Sequence, residues 1–132
     1  DEILQRRFIG LRTFAPVEIL SSTSFNPVAV GAMPKYFLAD VQRGPAVIDA
    51  EESKLRRQSN AVCSVCKVGG NVRGIERIIF EPGSWKGEDF FSAIGLPGTY
   101  VVSRRLRDLL MTESFNGCQI TPTASYRLDF TS

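Results

Sequence analysis

Three cysteines carry most of the chemistry this chain could do. Cys63-Ser64-Val65-Cys66 places two thiols in one short turn, and Cys118 follows far downstream. The C-x-x-C spacing lets two thiolates chelate one tetrahedral ion, and Gly69 and Gly70 just after the pair suit a zinc-knuckle turn. A structural zinc site takes four ligands. Cys63, Cys66 and Cys118 would supply three of them, and a carboxylate would have to supply the fourth. Thiol redox chemistry is a second reading, although an activated thiol gains from a helix N-terminus and Val68-Gly69-Gly70-Asn71 leads into a strand instead. Purely structural thiols are the third. The expectation is that Cys63 and Cys66 lie close together on a tight turn, with no cofactor required and zinc absent or weakly held.

The rest of the composition excludes more than it proposes. There is no histidine, so Ser-His-Asp and Cys-His nucleophile arrangements are ruled out. No Walker-type phosphate loop occurs, and Gly69, Gly70 and Gly74 precede a predicted strand where a dinucleotide fingerprint needs a helix. Glu88 and Asp89 are adjacent carboxylates, but neighbouring side chains on a helix diverge. No catalytic residues are assigned, and the chain is read as not an enzyme. An odd cysteine count argues against a secreted disulfide scaffold and for a reducing, cytoplasmic home. No stretch approaches the ~20 apolar residues of a membrane-spanning helix. DEILQRRF lacks the apolar core of a signal peptide. It also lacks an initiator Met, so a tag, a processing event or an upstream segment is expected to account for the start. A net charge of +2 is too small to argue for nucleic acid. Twelve of the sixteen basic residues are arginine, which favours planar pairing with carboxylates or phosphates.

Two charged clusters stand out. Asp49, Glu51 and Glu52 precede Lys54, Arg56 and Arg57, an acid-then-base order that suits a helical turn. Arg104 and Arg105 fall in the first turn of a predicted helix, where the dipole disfavours exposed cations by roughly 0.3–1 kcal/mol each. They are either solvated or paired with nearby carboxylates, or, with Arg107, they present a partner-binding edge.

The elements that must position these residues centre on 85–122. The pattern there reads as a short helix, the buried strand Tyr100–Val102, an amphipathic helix over about 103–113, a turn at Ser114–Gly117 and a strand through Cys118, Ile120 and Pro122. Ser103 can cap the helix, and Leu106, Leu109 and Leu110 form its apolar stripe. Tyr100, Val101, Val102, Leu106, Leu109, Leu110 and Ile120 are expected to be buried together. Upstream, a helix over the first nine residues precedes an extended or edge segment from Arg12 to Leu20. Ser21–Pro34 reads as loop with a short Val28–Val30 strand. Tyr36–Val41 and Ala46–Asp49 are strands whose separation allows a hairpin. Ile75–Phe80 and Tyr126–Phe130 complete the set. The fold class is α+β, one domain over 1–132, with a mixed or mainly antiparallel sheet, one main helix and shorter helices packed on it.

YFLADVQRGPAVIDAEES, the C-x-x-C, WKGEDFF, YVVSRRLRDLL and FNGCQITP, in that order, resemble the double-CXXCG proteins of myxobacteria and related immunity proteins of bacterial polymorphic toxin systems. The resemblance covers 36–122, and Asp89-Phe90-Phe91, Ser103, Leu106, Leu110, Gly117 and Pro122 match the shared positions. One cysteine pair stands where that family has two, and Lys67 replaces the glycine that should follow it. The resemblance implies an immunity protein that binds a cognate toxin domain and blocks it by contact, without catalysis. The partner-binding candidates are then Asp49, Glu51, Glu52, Arg104, Arg105 and Arg107. The alternatives are a small nucleic-acid-binding or regulatory module using Arg56, Arg57, Arg73, Arg77 and Arg104–Arg107, and a C-x-x-C thiol oxidoreductase.

Overall fold

The computed structural model describes residues 7–18, 36–59, 61–113 and 118–130. The expected N-terminal helix lies almost wholly outside them, as do the Ser21–Pro34 loop with its Val28–Val30 strand and the Ser114–Gly117 turn. Three small sheets and one main helix make an α+β fold of mixed but mostly antiparallel pairing. No helix among the described residues is long and apolar enough to cross a membrane.

β1 (Leu11–Val17) and β2 (Tyr36–Val41) form an antiparallel ribbon with Val17 opposite Tyr36 and Phe14 opposite Ala39. Pro16 is tolerated because the ribbon has only edge strands. β3 (Arg43–Val47) does not form the expected hairpin with β2. Only Gln42 separates the two strands, too short a link to reverse the chain. Instead the Gln42 N–H bonds the Gly10 carbonyl at 2.8 Å, and β3 leaves the ribbon to pair in parallel with β6 (Phe90–Ile94). Gly44 and Pro45, expected to end a strand, therefore lie inside one. β3 is an edge strand, where a missing N–H is harmless.

β6 replaces the short helix expected after Trp85. It is the central strand of β3-β6-β7, with β7 (Tyr100–Val102) antiparallel on its other side. Phe91 and Ala93 point into a core with Ala46 and Val101. Phe90 points to the opposite face, where the helix packs. A strand covered on both faces reads as a continuous apolar run, which period alone does not separate from a helix.

β4 (Arg56–Arg57), β5 (Val72–Ile75) and β8 (Leu128–Asp129) form the third sheet, all antiparallel. β5 lies upstream of the expected Ile75–Phe80 strand and shares only Ile75 with it; beyond Ile75, Phe80 makes an isolated bridge to Ile48. Ile48, Ile75, Ile78 and Leu96 form a second core, and Phe80 packs against both this one and the first.

α1 (Arg104–Thr112) is the predicted amphipathic helix, and the Ser103 hydroxyl accepts its Leu106 N–H. Leu106 and Leu109 are buried against Phe8 in a third cluster, with Leu110 and Val102 at its margin. The single core expected for this region is thus divided. Val101 belongs to the first core, Ile120 is half-buried, and Tyr100, on the other side of β7 from Val101, is 62% exposed beside Phe90. The expected strand at Cys118–Pro122 is irregular chain leading into a 3₁₀ turn over Thr123–Ser125.

Candidate functional site

The N-terminus of α1 is built around Asp89. Its backbone carbonyl accepts the Ser103 N–H at 2.8 Å, and its Oδ1 accepts the Ser103 hydroxyl at 2.6 Å. Oδ2 accepts the Ile9 N–H at 3.0 Å. Arg105 closes the set, Nε to Oδ1 at 3.2 Å and Nη2 to Oδ2 at 2.5 Å, while its guanidinium lies 4.8 Å over the Phe8 ring. Burial pushes the Asp89 carboxyl up, but the bonds from Arg105, Ser103 and Ile9 outweigh it and hold the group below the ordinary carboxylate range. Arg105 is held above its ordinary value by Asp89.

This explains the cation in the first helical turn. A buried carboxylate at the helix N-terminus supplies the negative charge the dipole favours, and Arg105 neutralises it from the solvent side. Arg105 therefore positions the helix and is not a free member of a basic edge. Arg107 pairs with Asp108 at 2.5 Å, and Arg104 is exposed. Of the two sequence readings of Arg105, the structure shows the one that pairs it with a nearby carboxylate, and the carboxylate is Asp89, which the sequence pattern puts on a short helix. The signal for the pairing was the misfit of Arg105 with its own dipole.

Arg104 and Arg107 edge a groove of about 1050 Å³ between α1, β7, the β1–β2 ribbon and the 118–123 segment. Phe14, Phe90, Val102 and Leu110 line it together with Tyr100 and Met111, which are 62% and 69% exposed. Cys118 lines the same groove.

Asp49, Glu51 and Glu52 sit on one tight turn. Asp49 Oδ1 accepts the Glu52 N–H at 3.0 Å, and the Asp49 carbonyl accepts the Ser53 N–H at 3.0 Å. Ser53 is buried and bonds Ile79 through both its hydroxyl functions. The acids early in this turn follow the expected order, but Arg56 and Arg57 lie on β4 and not in the turn. Arg77 donates to the Glu52 carbonyl at 2.7 Å and lies 3.5 Å from its carboxylate. Arg56 pairs with Asp129 at 3.0 Å.

Cys63 and Cys66 lie on one closed knuckle, with Lys67 N–H to the Cys63 carbonyl at 2.9 Å and Cys63 N–H to the Val68 carbonyl at 3.0 Å. The Cys66 N–H donates to Cys63 Sγ at 3.4 Å. That bond first, then one from Val65 and the charge of Lys67, pull the exposed Cys63 thiol below its ordinary value. Among the described residues no three Cys, Asp or Glu converge where a metal ion could be held. Cys118 lies in the groove and does not join the knuckle, so the described residues offer a metal two thiolates, half of a tetrahedral set. Arg57 fastens the back of the knuckle, donating to the Lys67 carbonyl at 3.1 Å and to the Gly95 carbonyl at the end of β6. Desolvation lowers its pKa.

The immunity protein family (Imm11) matches residues 23–125 of this chain. No curated protein and no solved structure matches it.

Proposed function

The chain belongs to the immunity protein family (Imm11), and from that premise we propose that it binds a cognate bacterial toxin domain and neutralises it by direct contact, without catalysis. The family match over 23–125 carries the reading. The surface best suited to such contact is the apolar groove beside α1. Tyr100 and Met111 are large exposed side chains of the kind that anchor interfaces, and Arg104, beside the Arg107–Asp108 pair, leaves its edge with a net positive charge. The partner surface would then bring an apolar contact flanked by carboxylates. The Asp49–Glu52 turn is the second candidate. The protein would act in the cytoplasm, a setting in keeping with its three free cysteines.

The arginine geometry favours this over phosphate recognition. Arg56, Arg77, Arg105 and Arg107 already face carboxylates, and Arg57 turns inward to backbone carbonyls. A nucleic-acid-binding protein would show an affinity that falls steeply with salt.

The test is co-expression with the toxin domain encoded by the neighbouring upstream gene. A one-to-one complex and rescue of the toxin-expressing cells are expected. Protection against no neighbouring toxin would end the immunity reading.

A further inference from the structure

We propose that Cys63 and Cys66 form a thiol–disulfide exchange site for low-molecular-weight disulfides, with Cys63 attacking first and Cys66 closing the ring. The redox use of a C-x-x-C pair ordinarily draws on a helix N-terminus. Here the knuckle supplies one such donor from a turn: the Cys66 N–H reaches Cys63 Sγ at 3.4 Å. A hydrogen bond to sulfur favours the thiolate over the thiol, and the thiolate is the attacking species.

The pair is asymmetric in the way the chemistry needs. Cys63 is exposed, and Cys66 is half-buried in the same turn. A disulfide arriving from solution meets Cys63, whereas Cys66 is best placed to meet Cys63 itself. The turn is held ready by its own backbone bonds and by Arg57 on the Lys67 carbonyl. Gly69 closes it tightly, since a Cβ there would sit 2.0 Å from the Ala61 carbonyl oxygen. Cys118 lines the groove, whose lining among the described residues includes neither Cys63 nor Cys66.

In the first step the Cys63 thiolate attacks one sulfur of RSSR. A Cys63–SR bond forms, the RS–SR bond breaks, and RS⁻ leaves. In the second, the Cys66 thiolate attacks Cys63 Sγ, expelling the other RS⁻. The two leaving thiolates take up the two protons lost by the cysteines, so the protein pair is oxidised and RSSR is reduced to two RSH.

The experiment treats the full chain, with Cys118→Ser and chelator present, with oxidised glutathione and follows it by intact mass and peptide mapping. The expected product is an internal disulfide, with two thiols released for each one formed. Acid quenching at early times should trap glutathione on Cys63, Cys66→Ser should stop at that adduct, and Cys63→Ser should react at Cys66 about tenfold more slowly. Early glutathione on Cys66, equal rates for the two variants, or a wild-type pair that stops at the mixed disulfide would each overturn the proposal. The early-quench result needs no substitution at either knuckle cysteine and decides the order of attack even if a variant misfolds.

Discussion

Arg105 Nη2 lies 2.5 Å from Oδ2 of Asp89, sixteen residues earlier in the chain. The contact joins the first turn of α1 to the start of β6, and Ile9 reaches the same carboxylate from eighty residues away. Three distant segments therefore meet on one side chain.

Asp89→Ala should destabilise the fold by about 2 kcal/mol or more, because it strands the Ser103 and Ile9 donors in a partly buried site. Arg105→Ala should cost less, since that partner is largely solvent-exposed and its pairing is screened. Urea midpoints for the two variants check the order; a larger loss for Arg105→Ala would contradict it.

The same carboxylate makes stability fall in acid. Its pKa is lowered in the folded state, so its contribution is fully present above the ordinary Asp value of about 3.9 and is lost as pH falls through the lower folded value. The stability difference between wild type and Asp89→Asn should thus narrow below that range. A difference unchanged down to the lowest accessible pH would refute the assignment.

Leu106→Ala should cost roughly 2–5 kcal/mol, the range for emptying a packed leucine site. Leu106 is 3% exposed against Phe8 and Leu109. A loss under about 1 kcal/mol would show that the stripe is not packed as described.

Gly10→Ala should cost more than about 1 kcal/mol, because the new side chain is incompatible with the backbone. Gly10 has φ +103°, and a Cβ there would lie 2.0 Å from the Phe90 carbonyl oxygen. Thermal unfolding of the variant is the measurement, and an unshifted midpoint would count against it.

For the partner surface, Arg104→Glu with Arg107→Glu should weaken rescue of toxin-expressing cells while circular dichroism stays that of the wild type. Arg105 is left in place because it holds Asp89. Glu51→Lys with Glu52→Lys tests the acidic turn in the same way. If both double variants fold and protect fully, neither patch is the interface.

Protein purified without chelator should carry clearly less than one zinc per chain by elemental analysis. Stoichiometric zinc on Cys63 and Cys66 would make the knuckle a metal site and remove the thiol-exchange proposal with it.

What the sequence by itself determined is local. The Ser103 cap and the Leu106–Leu109 stripe of α1, the closed turn at Cys63–Cys66 and the helical turn opening at Asp49 all rest on bonds or periodicity within a few residues. The absence of histidine constrained the chemistry just as directly. Tertiary structure decided the rest. Phe90–Ile94 is a strand because β3 and β7 pair on either side of it, and its apolar run alone fits helix or strand. Tyr36–Val41 and Arg43–Val47 part company because their partners lie at 11–17 and 90–94. Val101 is buried because its side of β7 meets the Ala46–Phe91 core, whereas Tyr100, on the other side, stays 62% exposed beside Phe90. Asp89 turned inward for the same reason: the donors that make its burial tolerable come from Ile9, Ser103 and Arg105, and only the folded chain brings them together.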